Sequence, residues 1–281
     1  MTTLVAAPLM FISHGAPTFA IEPGFLGEQL NHIGQNLGDV KAILVVSPHW
    51  QTADIEVMTN PQPETIHDFY GFPKPLYELS YPVKGATHVA KKAIDVLKQA
   101  GLIVKENPSR GLDHGTWVPL MHLLPDGNIP VFQVSMPKGL DPQSAYDLGK
   151  ALGPLRNEGV MIIASGSMTH NLHDFRQGVG GDLPYVSSFA DWVKQVVQSE
   201  RLDQLLAYRE SAPGAMRAHP TDEHFLPLFI ALGARLNDVN LRTIEGGIEY
   251  GILSMDSFAW GLNQSIRGNL SEEDVHEGSE A

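Results

Sequence analysis

The stretch Ala42–Trp50, AILVVSPHW, decides how the chain is read. Ile43, Leu44, Val45 and Val46 form an unbroken apolar run rich in β-branched residues, the composition of a strand buried on both faces in a parallel sheet. Pro48 stops the run and His49 follows at once, which predicts a histidine just past the carboxyl end of that strand. This edge of an open α/β sheet is where ligands bind. Three other segments repeat the design: PLMFISHG places His14 after an apolar run, VMIIASGSMTH places His170 shortly after another, and the polar HPTDEH precedes the apolar FLPLFIALG. The expectation is that these histidines meet at one metal ion.

Outward from this stretch, helical and strand periodicities alternate. Pro8–Ser13 reads as a strand, Gly24–Gly38 as a helix stopped by glycine, and the strand ending before His49 completes a βαβ unit. Asp54–Thr59 predicts a further strand. Asn60–Pro82 is too rich in proline for a central strand or a helix interior, and reads as a long ordered loop of the kind that serves as a lid. Thr87–Ala100 predicts a helix, Leu102–Lys105 a strand, Asn107–Thr116 a polar loop, Trp117–Leu124 a short helix and Pro130–Met136 a strand. Pro142–Arg156 is helical with proline at its start, and Val160–Ala164 is another apolar strand. Tyr185–Ser199 is amphipathic, Leu202–Ala215 continues helical, and Phe225–Arg235 is a buried helix interrupted early by Pro227. Leu241–Ile244 and Tyr250–Trp260 are final strands, the latter suited to a sheet edge. The whole predicts a single α/β domain over residues 1–265, with a central, mostly parallel or mixed β-sheet flanked by helices and the active site at the carboxyl edge of its strands. An acidic, apolar-poor tail at 266–281 is expected to be disordered.

At 281 residues the chain is long enough for an ample core, and 43% hydrophobic against 18% charged residues is ordinary for a folded domain. The formal net charge of −13 disfavours nucleic acid or an anionic membrane as partner. There is no cysteine, so any metal must be held by nitrogen and oxygen. Without a basic amino-terminal region leading into an apolar core, the chain reads as cytoplasmic.

Of the 12 histidines, His32, His88, His122 and His276 fall on helix surfaces or in the tail and carry no role, and His173 lies on the turn after a candidate. His14 and His49 stand out, because each follows an apolar strand and so shares one sheet edge. Imidazole suits zinc, iron, copper and nickel, and neutral histidines with open coordination positions are the ordinary form of a catalytic metal site.

FISHGAP, VVSPHW, TIHDFYGFP, GLDHGTW, SGSMTHNL and DEHFLPL, in this order between Pro8 and Trp260, together resemble the class III extradiol ring-cleaving dioxygenases, in their DOPA 4,5-dioxygenase-like branch. The resemblance implies that His14, His49 and His224 are metal ligands, with His219 the rival for the third position. It implies His170 as acid/base beside the metal, able to approach a zinc ion, and His114 as a second catalytic histidine facing the substrate. The two loops carrying His67, Asp68, Phe69, Asp113 and Trp117 would bind substrate. Two features depart from the family's pattern: SHGAP stands in place of GHGSP, and a histidine stands where catechol-cleaving relatives use a carboxylate. Glu223 adjoins His224, but a helical turn would point it roughly 100° away, behind the ligand.

The implied activity is O₂-dependent opening of a catechol-type ring, such as DOPA, to a muconic semialdehyde-type product, at one ion per chain: Fe(II) for ring cleavage, or Zn(II) as resident metal. A small-molecule catechol and O₂ are the expected partners, for a monomer or homodimer. The alternatives are a zinc-dependent hydrolase, since zinc on three histidines activates water, and a non-enzymatic metal-containing binding protein of the same fold.

Overall fold

The computed structural model describes residues 6–178, 181–237 and 240–262. In chain order, β1 (Leu9–Ser13) leads through a 3-10 turn at Pro17–Ala20 to α1 (Gly24–Gly34) and back into β2 (Ala42–Thr52). A short β3 (Ile55–Met58) precedes the proline-rich segment, which is a loop apart from a 3-10 turn at Lys74–Glu78. Next come α2 (Thr87–Gln99), β4 (Val104–Asn107), α3 (His114–Leu123), β5 (Val131–Pro137), α4 (Pro142–Leu152) and β6 (Val160–Gly166). The helical half holds α5 (Leu172–Gln177), α6 (Pro184–Gln198), α7 (Leu202–Leu206), α8 (Tyr208–Ser211), α9 (Ala215–Ala218) and α10 (Leu226–Ala234). The chain closes with β7 (Leu241–Ile244), a small hairpin of β8 (Ile248–Glu249) and β9 (Leu253–Ser254), and β10 (Ser257–Trp260).

Eight strands form one mixed sheet in the order β4-β3-β5-β2-β6-β1-β10-β7. Its middle, β5-β2-β6-β1, is parallel throughout, and these are the apolar runs seen in the sequence. α3 packs on β2 and β6, and α10 on β1, β2 and β6, with α1 against α3 and α4 against α10. Burial of the middle strands explains why β1, β2 and β6 carry no polar alternation, while β5 keeps buried Gln133 and Ser135. At the flanks β3 pairs antiparallel with β5, and β10 antiparallel with β1 and β7. The fold is thus the single α/β domain that the sequence predicts. No helix among the described residues is long and apolar enough to cross a membrane.

Several boundaries differ, each for a local reason. β2 does not stop at Pro48: its register against β5 jumps between Val46 and Gln51, so residues 47–50 bulge out and the strand resumes beyond them. Proline has no N–H to give to the ladder, and a bulge is where a sheet tolerates it. α1 ends at Gly34, where the backbone of Leu123 approaches so closely that a side chain would not fit. α3 begins at His114, three residues earlier than expected, because Asp113 takes the extended N-cap conformation. α4 gives way to a 3-10 turn at Gly153–Glu158, and residues 202–218 break into three short helices. β4 lies two residues later, with Val104 rather than the exposed Ile103 facing inward. Pro227 sits in the first turn of α10, where its missing N–H costs nothing. β7, not β10, forms the sheet edge at this end, with β4 at the other; β10 is wholly buried. The expected tail at 266–281 lies outside the described residues.

Candidate metal centre

Three elements deliver three histidines to one point above the carboxyl edge of the sheet. His14 follows β1, and its backbone N–H donates to the carbonyl of Gly166 at the end of neighbouring β6, 2.9 Å away. His49 projects from the bulge in β2. His224 lies in the turn before α10, fixed by its carbonyl, which accepts from Ser167 N–H at 2.8 Å. Their ring centroids form a near-equilateral triangle, 5.1 Å between His14 and His49, 5.0 Å between His49 and His224 and 5.4 Å between His14 and His224. Nε2 of His49 lies 3.2 Å from Nε2 of His14 and 3.4 Å from Nε2 of His224.

The other ring nitrogens decide what those Nε2 atoms are. Ser165 Oγ donates its one proton to the carbonyl of Gly115, so toward His14 Nδ1, 2.9 Å away, it can only accept. His224 Nδ1 faces the Glu223 carboxylate at 3.1 Å, and His49 Nδ1 faces that of Asp68 at 3.5 Å. Each histidine is therefore held with its proton on Nδ1 and its Nε2 lone pair toward the other two. Protonating the centre is disfavoured: burial, then mutual repulsion, holds His14 and His224 well below the ordinary histidine range, and burial together with His114 brings His49 to about 4 despite Asp113 and Asp68. Three neutral nitrogens with lone pairs converging at 3.2–3.4 Å cannot hydrogen-bond to one another. The arrangement fits a shared cation, since ligands about 2.1 Å from one ion stand this far apart. His14, His49 and His224 could hold a metal ion, and their outward contacts are those that orient metal-binding imidazoles.

The remaining candidates divide into those that reach this point and those that stand behind it. His170 stacks on His224, centroids 3.6 Å apart and planes 6° from parallel, and burial brings it to about 4 although Glu223 opposes this. His114 packs against His49 with centroids 4.0 Å apart. Asp68 Oδ1 accepts from both the backbone N–H and Nδ1 of His114, at 2.9 and 3.0 Å. Burial raises the Asp68 carboxyl, but the hydrogen bonds and charge of His114 prevail and take it to about 2. Phe69 sets its edge against His114, centroids 5.6 Å apart.

Asp113, Trp117 and His67 do not face the centre. Asp113 is fully buried, its oxygens taken by Ser47, Gln133 and Arg110 at 2.8, 2.8 and 2.9 Å. Trp117 is fully buried and donates to the carbonyl of Ile66, and His67 bonds to the carbonyl of Leu79; both brace the long loop. His219 is enclosed elsewhere, with Nε2 on the carbonyl of Met168, which leaves His224 in the triangle. Glu223 contacts His224 directly, because residues 221–225 form turns and the helical 100° does not apply. His122, expected on a helix surface, is half-buried against Phe19, with Nε2 2.7 Å from its carbonyl oxygen. The reading of the sequence did not single out Ser165, although a polar residue closing an apolar strand at this edge was a visible signal.

Comparison with known proteins places the chain among named relatives. The chain is 38% identical over 254 residues to the 4,5-DOPA dioxygenase extradiol of Beta vulgaris, covering 88% of this chain and 94% of that one. It is 34% identical over 252 residues to the protein of the same name from Escherichia coli K12, covering 88% and 92%. A crystal structure of an uncharacterized protein from Escherichia coli K12 superimposes with a TM-score of 0.75 at 29% identity, covering 90% of this chain and 99% of that one. The profile of the catalytic LigB subunit of aromatic ring-opening dioxygenases matches residues 9–247. The chain belongs to this family of metal-dependent ring-opening dioxygenases.

Proposed function

We propose that this chain opens a catechol-type ring, DOPA or a simpler catechol, by the extradiol route, with one Fe(II) on His14, His49 and His224 and a muconic semialdehyde-type product. The observation that carries the reading is the convergence of three neutral Nε2 atoms at the sheet edge, that of His49 lying 3.2 Å from that of His14 and 3.4 Å from that of His224. Fe(II) held by these three histidines would supply the redox chemistry that lets triplet O₂ react with a singlet catechol. The names of the relatives support the substrate class. Zn(II) suits the same nitrogens as a resident ion but has no redox chemistry. The catalytic unit is assigned to residues 1–265.

The chain's own groups supply proton handling and shape. His170 is neutral at physiological pH and stands beside His224 with no hydrogen-bond partner on its ring among the described residues, so it is free to take a catechol proton. His114, anchored through Nδ1 by Asp68, keeps Nε2 as a second acceptor, and Phe69 gives this side an apolar wall. Anaerobic loading with Fe(II), followed by O₂ and a panel of catechols, tests the reading. A yellow ring-opened product with matching O₂ uptake is expected; no product from any catechol would sink it.

A further inference from the structure

Asp68 makes contacts that substrate binding does not require. It lies on the loop of residues 60–82, yet its carboxylate, 23% exposed, reaches both His49 of the metal centre and His114 beside it. Oδ2 faces Nδ1 of His49 at 3.5 Å, and Oδ1 accepts from Nδ1 and the backbone N–H of His114 at 3.0 and 2.9 Å. The second of these is the first N–H of α3, a helix terminus that favours an anion. The loop behind Asp68 is tied to the body: Ile66 N–H donates to the carbonyl of Leu112 at 2.8 Å, and Trp117 Nε1 donates to the carbonyl of Ile66 at 2.9 Å. With His49 and His114 the carboxylate also forms a group that could hold a cation. Two donors already converge on Oδ1, so it is seated as an acceptor of hydrogen bonds.

Resting on the reading of His14, His49 and His224 as a metal centre, we infer that Asp68 is a positioning residue that couples the 60–82 loop to the metal. One carboxylate keeps the proton of His49 and of His114 on Nδ1, so that both Nε2 atoms stay open. Metal binding to His49 and seating of the loop then favour each other, as linkage demands. An amide cannot replace this group: its NH₂ would be set against an Nδ1–H and force one ring into the other tautomer.

The test uses the full chain and Zn(II) alone. Asp68→Ala and Asp68→Asn are compared with the wild type and with Glu223→Gln, which removes the carboxylate behind His224 without touching the loop. Zn(II) affinity is measured by chelator competition, hydrogen exchange across 60–82 with and without Zn(II), and the histidine tautomers by ¹H–¹⁵N correlation. Both Asp68 variants should lose about 10–100-fold in affinity, lose the zinc-dependent protection of 60–82, and shift the signals of His49 and His114. Glu223→Gln, whose amide oxygen can still accept from Nδ1–H of His224, should keep that protection in its zinc-bound form. Wild-type affinity in either Asp68 variant, or loss of loop protection in the zinc-bound form of all three variants alike, overturns the inference. A wild type that binds no Zn(II) overturns the metal-centre reading and this inference with it. A wild type that binds metal yet opens no catechol ring counts only against the proposed reaction.

Discussion

His170 lies flat on His224, the rings 3.6 Å apart and 6° from parallel, while Nε2 of His224 points at His49. The stack sets the in-plane lone pairs of the two rings side by side, so His170 is not part of the triangle of His14, His49 and His224, although with Glu223 and His224 it forms a second group that could hold a cation. Metal content therefore distinguishes the two roles of His170 that the family resemblance implies, acid/base and possible ligand.

His170→Ala should therefore abolish most turnover, by about 10²–10⁴-fold as for other acid/base side chains, and leave metal content near that of the wild type. Metal analysis alongside oxygen uptake decides it. Parallel loss of metal would make His170 a ligand.

Ser165→Ala removes a hydroxyl that serves two groups at once. His14 Nδ1–H loses its acceptor and the carbonyl of Gly115 loses its donor, both in a buried setting. Metal affinity should fall about 10–100-fold, and stability by about 1–3 kcal/mol. Chelator competition and thermal unfolding of the metal-free protein measure these separately. An unchanged affinity would mean that His14 needs no outward partner.

How much of this was legible beforehand follows from where each signal sits in the chain. His14 and His49 were visible because each adjoins a run of strand residues, and the runs are pure because the middle strands are buried on both faces. His224 follows no strand: the polar HPTDEH segment offers His219 and His224 alike, and only the family resemblance favours the second. Asp68 drew notice as part of a polar, aromatic loop, but its partner His114 is 46 residues away, a pairing that no local pattern encodes. Asp113 looked site-facing because His114 beside it is. The start of α3 turns it inward, onto Ser47, Arg110 and Gln133. The bulge in β2 was hidden for the same reason: Pro48 announces a break, but not that the strand resumes.

Gly115→Ala sets helix propensity against geometry. Alanine in a helix is favoured over glycine by about 1 kcal/mol. Here, however, a Cβ would stand 2.5 Å from Ser47 Oγ and 2.9 Å from Cδ2 of His49. His49 must shift, so the variant should bind metal more weakly and turn over more slowly, with no gain in stability. Zinc titration and denaturant unfolding check both halves; a stabilised variant of full affinity would show that the His49 side chain gives way freely.

The last expectation concerns acid and a histidine outside the metal centre. His219 is fully buried, with Nε2 on the carbonyl of Met168 at 2.9 Å, its ring against Phe189 and Phe225 and, among the described residues, no partner for Nδ1. Burial brings it down to about 3, whereas in the unfolded chain it would titrate at about 6.5. Between those values the unfolded chain binds the extra proton, so stability is complete above about 6.5 and is lost as pH falls toward 3. His49 and His170, each near 4, act in the same direction when metal is absent. Each additional proton on the unfolded chain costs about 1.4 kcal/mol per pH unit. With chelator present, the urea midpoint of the wild type should drop from pH 7 to pH 5. In His219→Gln, whose amide can still donate to Met168 but does not titrate, the drop should be shallower by about one proton's worth. Equal slopes in the two proteins would show that the folded chain protonates His219 as readily as the unfolded chain does.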